Sequence, residues 1–100
     1  MAYRLRFDRR FRQHLDGLPG DIKSVARRAV ADLALEPRPR RAKQLDSHPG
    51  YYRLWLPRDH RLVWSVLEDE QIVDLFYVGP KAPDLYERLG LGRSSPQNGG

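Results

Sequence analysis

The sequence predicts an α+β domain in which a twisted antiparallel β-sheet carries an N-terminal helical hairpin on one face. Three observations lead to this fold class. Strand-like alternation of apolar and charged residues opens the chain at residues 2–7, two amphipathic helical patterns follow, and three strand-like segments come last. Helices and strands that are segregated along the chain in the order β-α-α-β-β-β are typical of α+β proteins.

The two helices are predicted from the spacing of their apolar residues and from the residues at their ends. Asp8 is a suitable N-cap for a short first helix that carries Phe11 and Leu15. In the second helix, apolar residues between positions 22 and 33 recur at the i, i+3, i+4 spacing of a single helix face. Pro37 follows and prevents the helix from continuing. The shared apolar faces predict a hairpin that packs on the sheet.

The second half of the chain predicts an antiparallel meander of strands at residues 51–56, 60–67 and 71–78, with a last helical turn at 84–89. Short polar turns separate the strands, as hairpins require.

Alternation within these strands divides their side chains between two faces. We expect Leu54 and Tyr77 to face the helices, and Arg53, Arg61 and Asp74 to lie on the opposite, open face. A carboxylate among arginines on one face can orient a guanidinium through a charge-assisted hydrogen bond.

Composition limits the class of partner. The chain has 100 residues, a net charge of +5 and a pI of about 10.0, and arginine dominates its basic residues. A small basic domain is expected to bind a polyanion such as nucleic acid or an acidic protein segment.

We expect a single domain over residues 1–91 and a disordered tail over residues 92–100, because the tail has no apolar residues with which to form a core.

The sequence also argues against several classes of site and location. Cysteine is absent, which excludes disulfides and thiolate metal sites, and the carboxylates show no metal-ligand spacing, so no metal or cofactor is expected. The chain has no apolar run of membrane-spanning length and no signal-peptide pattern, and a cytoplasmic location is therefore expected.

One continuous motif is the most specific feature: AKQLDSHPGYYRLWL, then RLVWSV, then VDLFYVGPK, then a late LY pair. This pattern resembles the RelE/ParE superfamily of small bacterial toxins from type II toxin–antitoxin pairs, over roughly residues 3–89. The resemblance implies an antitoxin partner that wraps the toxin with a short, acidic-to-apolar segment. RelE-like members cleave messenger RNA in the ribosomal A site without a metal, whereas ParE-like members poison DNA gyrase.

The resemblance also implies the site residues of a RelE-like enzyme. The catalytic positions fall on Arg53, Arg61, Lys81 and Tyr86, with the neighbouring His60 as a rival acid or base. Basic and aromatic residues around them are candidate RNA contacts, namely Arg38, Arg40, Arg41, Lys43, His48, Tyr51 and Trp55. Trp55 departs from the family pattern, because a second basic residue is expected at its position.

Metal-free RNA cleavage needs cations to stabilise the charge that develops on the phosphate, and groups that move protons at the attacking and leaving oxygens. Arginine supplies the cation but cannot act as a base, whereas a phenol or an imidazole can exchange a proton. The leading hypothesis is therefore a ribosome-dependent endoribonuclease. Two alternatives stay open at this point: a ParE-like poison of DNA gyrase without enzymatic activity, and a degenerate toxin that only binds antitoxin or nucleic acid.

Overall fold

The computed structural model describes residues 2–46, 48–81 and 85–90. Within these ranges the secondary structure, in chain order, is β1 (Arg4–Arg6), α1 (Arg9–Asp16), α2 (Gly20–Leu33), β2 (Lys43–Gln44), β3 (Tyr51–Leu56), a 3-10 turn (Pro57–Asp59), β4 (His60–Leu67), β5 (Ile72–Pro80) and α3 (Leu85–Arg88). The predicted tail at residues 92–100 and the predicted first residue of the last helix, residue 84, lie outside the described residues.

The strands form one five-stranded sheet in the order β1-β5-β4-β3-β2. The predicted α+β class and the meander of β3, β4 and β5 are confirmed. The sheet is mixed rather than wholly antiparallel, because β1 pairs with β5 in the parallel direction. The described chain also contains a strand that was not predicted, the two-residue β2 at the far edge. A two-residue strand such as β2 is too short to show alternation in the sequence. The parallel direction of β1 was not predicted because apolar alternation carries no information about strand direction.

The helical hairpin covers one face of the sheet and builds the main core there. Phe11, Ile22 and Ala26 of the helices are buried in the same cluster as Leu54 and Trp64 of the sheet. The entry into α1 is fixed as predicted, because the Asp8 side chain accepts a hydrogen bond from the backbone N–H of Phe11 at 2.9 Å. The other face of the sheet lies away from the hairpin, and we name it the open face, although the middle strand buries Arg61, Val63 and Ser65 on it.

A β-bulge changes the side-chain pattern of β5. Trp64 lies opposite Leu75 and Val63 lies opposite Tyr77, so that Phe76 is an extra residue between the two pairs. The prediction that Tyr77 belongs to the core is therefore wrong, and Val78 joins the core cluster instead. Burial raises the pKa of the Tyr77 phenol, whose hydroxyl donates a hydrogen bond to the Pro80 carbonyl at 2.7 Å.

A hydrogen-bonded group around Glu68 ties the β4–β5 turn to two other segments. The Tyr3 hydroxyl donates to one Glu68 carboxylate oxygen at 2.6 Å, and the Arg38 guanidinium donates to the other. Arg38 also donates to the Tyr52 hydroxyl at 3.1 Å. The hydrogen bond from Tyr3, followed by that from Arg38, lowers the pKa of Glu68 below its ordinary value of 4.5. The carboxylate form is thus favoured by the fold.

The Glu68→Gln variant is expected to melt at a lower temperature than the parent protein at neutral pH. Because the folded-state pKa of Glu68 is depressed, its stabilisation is present above the ordinary pKa of 4.5 and is lost as the pH falls through the folded value. The difference between the two melting temperatures should therefore shrink in acid. Thermal unfolding followed by circular dichroism across this range tests it. Asp69→Asn, in the same exposed turn, is the matched control. An equal effect of Asp69→Asn, or an effect of Glu68→Gln that does not change with pH, would contradict the assignment.

Candidate functional site: a cationic cavity on the open face

A cavity of about 480 Å³ lies at one end of the open face. It is lined by Gln44, Leu45, Asp46, Arg53, Trp55, Arg61, Lys81 and Tyr86. The structure thus brings together four of the predicted catalytic residues, all but His60, with one of the predicted RNA contacts, Trp55.

The strand register explains this convergence. Trp55 of β3 lies opposite Arg61 of β4, and Arg61 lies opposite Gly79 of β5, so the three form one row across the sheet. Arg53 is two residues before Trp55 and therefore shares its face. Lys81 directly follows the end of β5, beyond the same row.

Arg61 is a cation that has been removed from water. Its side chain is only 5% exposed and its guanidinium carbon lies 4.0 Å from the centroid of the Trp55 ring. The Nη1 atom donates to the His60 carbonyl at 3.1 Å and lies 3.2 Å from Oδ1 of Asp59, whereas Nε is buried and has no partner among the described residues. A buried charge is costly unless it is fully paired and hydrogen-bonded. An anion that enters the cavity would supply the missing acceptor.

The hairpin turn before β4 positions two of the cavity's cations. Asp59 has φ of 62°, in the left-handed region, and its carboxylate reaches Arg61. Its carbonyl accepts a hydrogen bond from the backbone N–H of Lys81 at 2.9 Å, which fixes the chain just after β5. Asp59 was not among the predicted site residues, although an acid two positions before a strand arginine, in a tight turn, is a usable signal.

Trp55 lies where the family pattern expects a cation, and the structure shows what it contacts. Its ring is close to Arg61, and the Arg53 guanidinium carbon lies 5.9 Å from the same ring centroid. Cations over an indole face are attracted by its quadrupole, more strongly where water is excluded. Trp55 therefore gathers two guanidinium groups at the cavity although it brings no charge of its own, and it remains 61% exposed.

Tyr86 adds a polar hydroxyl to the site, and Lys43 adds a positive charge beside it. Tyr86, on α3, lines the cavity, and its buried hydroxyl has no hydrogen-bond partner within the part of the chain that the structure describes. Lys43 of β2 lies directly opposite Arg53 of β3, which places two like charges side by side. Directly opposed like charges destabilise a strand pair, so an anion between them would relieve the repulsion.

His60 does not join this site. Neighbouring residues of a strand point to opposite faces, so the side chain of His60 lies away from that of Arg61. It lines a separate depression that also includes His14 and Tyr77. Its Nδ1 atom is 3.1 Å from the Pro57 carbonyl oxygen and 3.0 Å from that of Arg58. The adjacency of His60 and Arg61 in the sequence suggested a shared role, but the pleat of the strand places their side chains on opposite faces.

The remaining predicted RNA contacts are distributed unevenly. Arg38 is engaged with Glu68 and Tyr52, away from the cavity lining. Arg40 and Arg41 are exposed, and Arg41 borders a second cavity beside α2. Near the open face, the rings of His48 and Tyr51 meet edge to face, with centroids 5.9 Å apart.

Asp74 was expected to orient Arg53 or Arg61, but it does not. It pairs with Arg6 of β1, whose Nη2 lies 3.1 Å from the Asp74 carboxylate. The cause is the parallel pairing of β1 with β5, which places Arg6 opposite Asp74.

Two further properties concern the described part of the chain. Within residues 2–46, 48–81 and 85–90, no group of three or more His, Cys, Asp or Glu side chains is arranged to hold a metal ion. In the same ranges, no helix has the length and apolarity needed to cross a membrane.

No protein-family model and no curated protein sequence matches this chain. Solved structures do match. A mutant of the Escherichia coli toxin RelE in the free state is 25% identical, with a TM-score of 0.74 over 90% of this chain and 96% of that chain. RelE in the intact E. coli RelBE toxin–antitoxin complex is 26% identical, with a TM-score of 0.70 over 81% of this chain and 99% of that one.

A more distant match is a chain of the archaeal RelE–RelB complex from Pyrococcus horikoshii. It is 21% identical, with a TM-score of 0.67 over 83% of this chain and 99% of that chain. The resemblance predicted from the motif is thereby confirmed: the chain has the RelE fold and is similar to RelE toxins over most of its length.

Proposed function

We propose that this RelE-like chain is the toxin of a type II toxin–antitoxin pair and acts as a metal-independent endoribonuclease on messenger RNA in the ribosomal A site. The observation that carries the proposal is the cavity on the open face. It unites the cations Arg53, Arg61 and Lys81 with the Tyr86 phenol, and it contains two buried polar atoms without partners, Nε of Arg61 and the Tyr86 hydroxyl. Such a set fits an oxyanion whose charge grows during reaction.

The proposed reaction is a transesterification within the RNA. The ribose 2′-oxygen loses its proton to a base and attacks the adjacent phosphorus, and the bond from phosphorus to the 5′-oxygen breaks. The 5′-oxygen receives a proton, so the products are a 2′,3′-cyclic phosphate and a 5′-hydroxyl end. Arg61 and Lys81 stabilise the negative charge on the phosphate oxygens, and Arg53 holds the scissile or the flanking phosphate. Tyr86 exchanges a proton at one of the reacting oxygens.

The proposed partners follow from charge and from the similar structures. Two of the similar RelE chains were solved in complex with the antitoxin RelB. For a chain of net charge +5, an acidic antitoxin segment is the complementary partner. The cavity borders an open sheet face rather than a closed base-reading pocket, so positioning of the codon is assigned to the ribosome, in the cytoplasm.

Expression of the protein in bacteria, followed by mapping of messenger RNA 5′ ends over several minutes, tests the proposal. We expect growth arrest and new cuts inside translated codons. The Tyr86→Phe variant removes only the hydroxyl and should reduce the cuts by about a hundredfold or more, the usual contribution of a positioned acid or base.

Other outcomes identify the alternatives. Growth arrest with intact messenger RNA and accumulating DNA breaks would replace the proposal with a gyrase poison. An absence of arrest, with the protein folded and bound to its antitoxin, would leave a binding module. Equal cutting by Tyr86→Phe would remove Tyr86 from the mechanism.

A further inference from the structure

Two aromatic rings on the open face have no role in the chemistry above. The rings of Tyr51 and Phe76 are stacked, with centroids 5.5 Å apart and planes inclined by 17°. They belong to β3 and β5, which are not neighbours, because β4 lies between them. Ser65 of β4 lies opposite both Tyr51 and Asp74, and its small buried side chain leaves room for the rings to meet above it.

The position of the pair on the open face follows from the strand pattern. Tyr51 precedes Tyr52, which packs against the core, so the side chain of Tyr51 points to the other face. Phe76 is the extra residue of the β-bulge, and bulges re-aim side chains. Phe76 remains 38% exposed although it is a large apolar residue. Neither ring belongs to the main core cluster.

The aromatic pair is continuous with the cationic cavity. Tyr51 and Arg53 are two residues apart on the same face of β3, a separation of about 7 Å along the strand. Arg53 lines the cavity and lies opposite Lys43, so cations begin immediately beside the rings. The His48 ring packs edge to face against Tyr51.

We propose that the Tyr51–Phe76 pair is a stacking site for one base of single-stranded RNA, next to the scissile phosphate. The inference rests on the proposed function, because the cavity defines where that phosphate lies. Aromatic rings on a sheet face beside backbone-binding cations are a common arrangement for single-stranded RNA, since every base has a face that can stack. A purely apolar protein segment would use the rings but would leave the adjoining cations, Lys43 and Arg53, without counter-charges. The acidic antitoxin segment is the rival occupant, and the experiment below distinguishes it from RNA.

A fluorescence experiment on free RNA tests the site without requiring cleavage. The probe is a short RNA with a 2′-deoxy linkage at its centre, so that it cannot be cut, and with 2-aminopurine placed in turn on each side of that linkage. At low salt the cations bind phosphates strongly, so the probe can be saturated without the ribosome. We expect quenching of 2-aminopurine at one position. Phe76→Leu should abolish the quenching and weaken binding roughly tenfold, which is within the range for loss of one stacked base.

Controls separate stacking from a general loss of binding. The slope of log affinity against log salt should be the same for Phe76→Leu and the parent, because the cations are untouched. A probe lacking that base should bind both proteins equally. Phe7→Leu makes the same change at another exposed phenylalanine, outside the sheet strands, and should have no effect.

Specific results would overturn the site. Unquenched probe at saturation, or quenching that persists in Phe76→Leu, contradicts it. So does a Phe76→Leu variant that loses affinity for an acidic antitoxin peptide but not for RNA, because the pair would then be a protein-docking surface. Failure of the proposed function gives a different result. Quenching without messenger RNA cuts in cells would support the stacking site and contradict the nuclease activity. Cuts in cells without quenching would support the nuclease activity and contradict the stacking site.

Discussion

Replacing Arg61 by methionine is expected to reduce messenger RNA cleavage by about a hundred- to a thousandfold while the protein keeps its stability or gains some. The loss follows from removing a preorganised donor at a point where negative charge develops. The retained stability follows from burial. The Arg61 side chain is 5% exposed, its carboxylate partner Asp59 is 72% exposed, and its Nε has no acceptor. A buried charge with incomplete pairing is often replaced by an apolar residue of similar volume at no cost.

Two measurements on purified variants check this prediction. The rate of cleavage is followed on programmed ribosomes, and the free energy of unfolding is obtained from urea denaturation. Arg58→Met is the matched control, because Arg58 lies in the same hairpin turn but its exposed side chain pairs with Asp21 on α2. It should change neither quantity by much, since exposed ion pairs contribute about 1 kcal/mol or less. A strongly destabilised Arg61→Met would instead assign Arg61 a structural role.

The same balance between activity and stability explains how a tryptophan can occupy position 55, where the family pattern has a cation. The family pattern places a second basic residue at position 55, and this chain places an indole there, 4.0 Å from the guanidinium of Arg61. An additional cation would have raised the repulsion around Arg61 and Arg53. The indole face instead attracts both guanidiniums and covers Arg61 from water, which strengthens its field at the cavity.

Most of the fold could be predicted because local patterns agree with the tertiary structure. The alternation of β3 and β4 places Leu54, Leu62 and Trp64 in the core, as expected, and Arg53 and Arg61 opposite. The apolar stripe of α2 is buried at Ile22, Ala26 and Leu33. In these segments the spacing of apolar residues depends only on which face of the strand or helix is buried, and this spacing can be seen within the segment itself.

What could not be predicted depends on pairing between distant segments. The parallel direction of β1 decides that Arg6 meets Asp74, and no local pattern specifies that direction. The bulge at Phe76 exchanges Tyr77 for Val78 in the core, and it appears only in the register with β4. His60 was grouped with Arg61 by adjacency in sequence, whereas adjacency in a strand means opposite faces. The residues that converge in the cavity were predicted from the resemblance to RelE/ParE toxins over most of the chain, and not from a local pattern.

The Trp64→Ala variant is expected to lose about 3–5 kcal/mol of stability, the usual cost of truncating a buried aromatic residue. Trp64 is completely buried at the centre of the sheet, in contact with the core cluster, and its ring stacks on Tyr52 with centroids 6.1 Å apart. Its indole N–H donates to the Pro37 carbonyl at 2.9 Å, which anchors the loop after α2. Small domains have total stabilities of about 5–15 kcal/mol, so this loss is a large fraction of the stability of such a domain.

Trp64→Phe keeps one aromatic ring in the core and removes the indole N–H donor together with the second ring. It should cost less than alanine, and its cost combines the Pro37 carbonyl left without its partner, about 1–3 kcal/mol, with the smaller loss of buried aromatic volume. Urea denaturation of both variants, with Trp55→Phe as the control for an exposed tryptophan, measures these differences. Similar small losses for all three variants would show that the loop after α2 is held by other contacts, such as those of Arg38 with Glu68 and Tyr52. A clearly larger loss for Trp64→Phe than for Trp55→Phe would instead support anchoring of that loop by the buried indole.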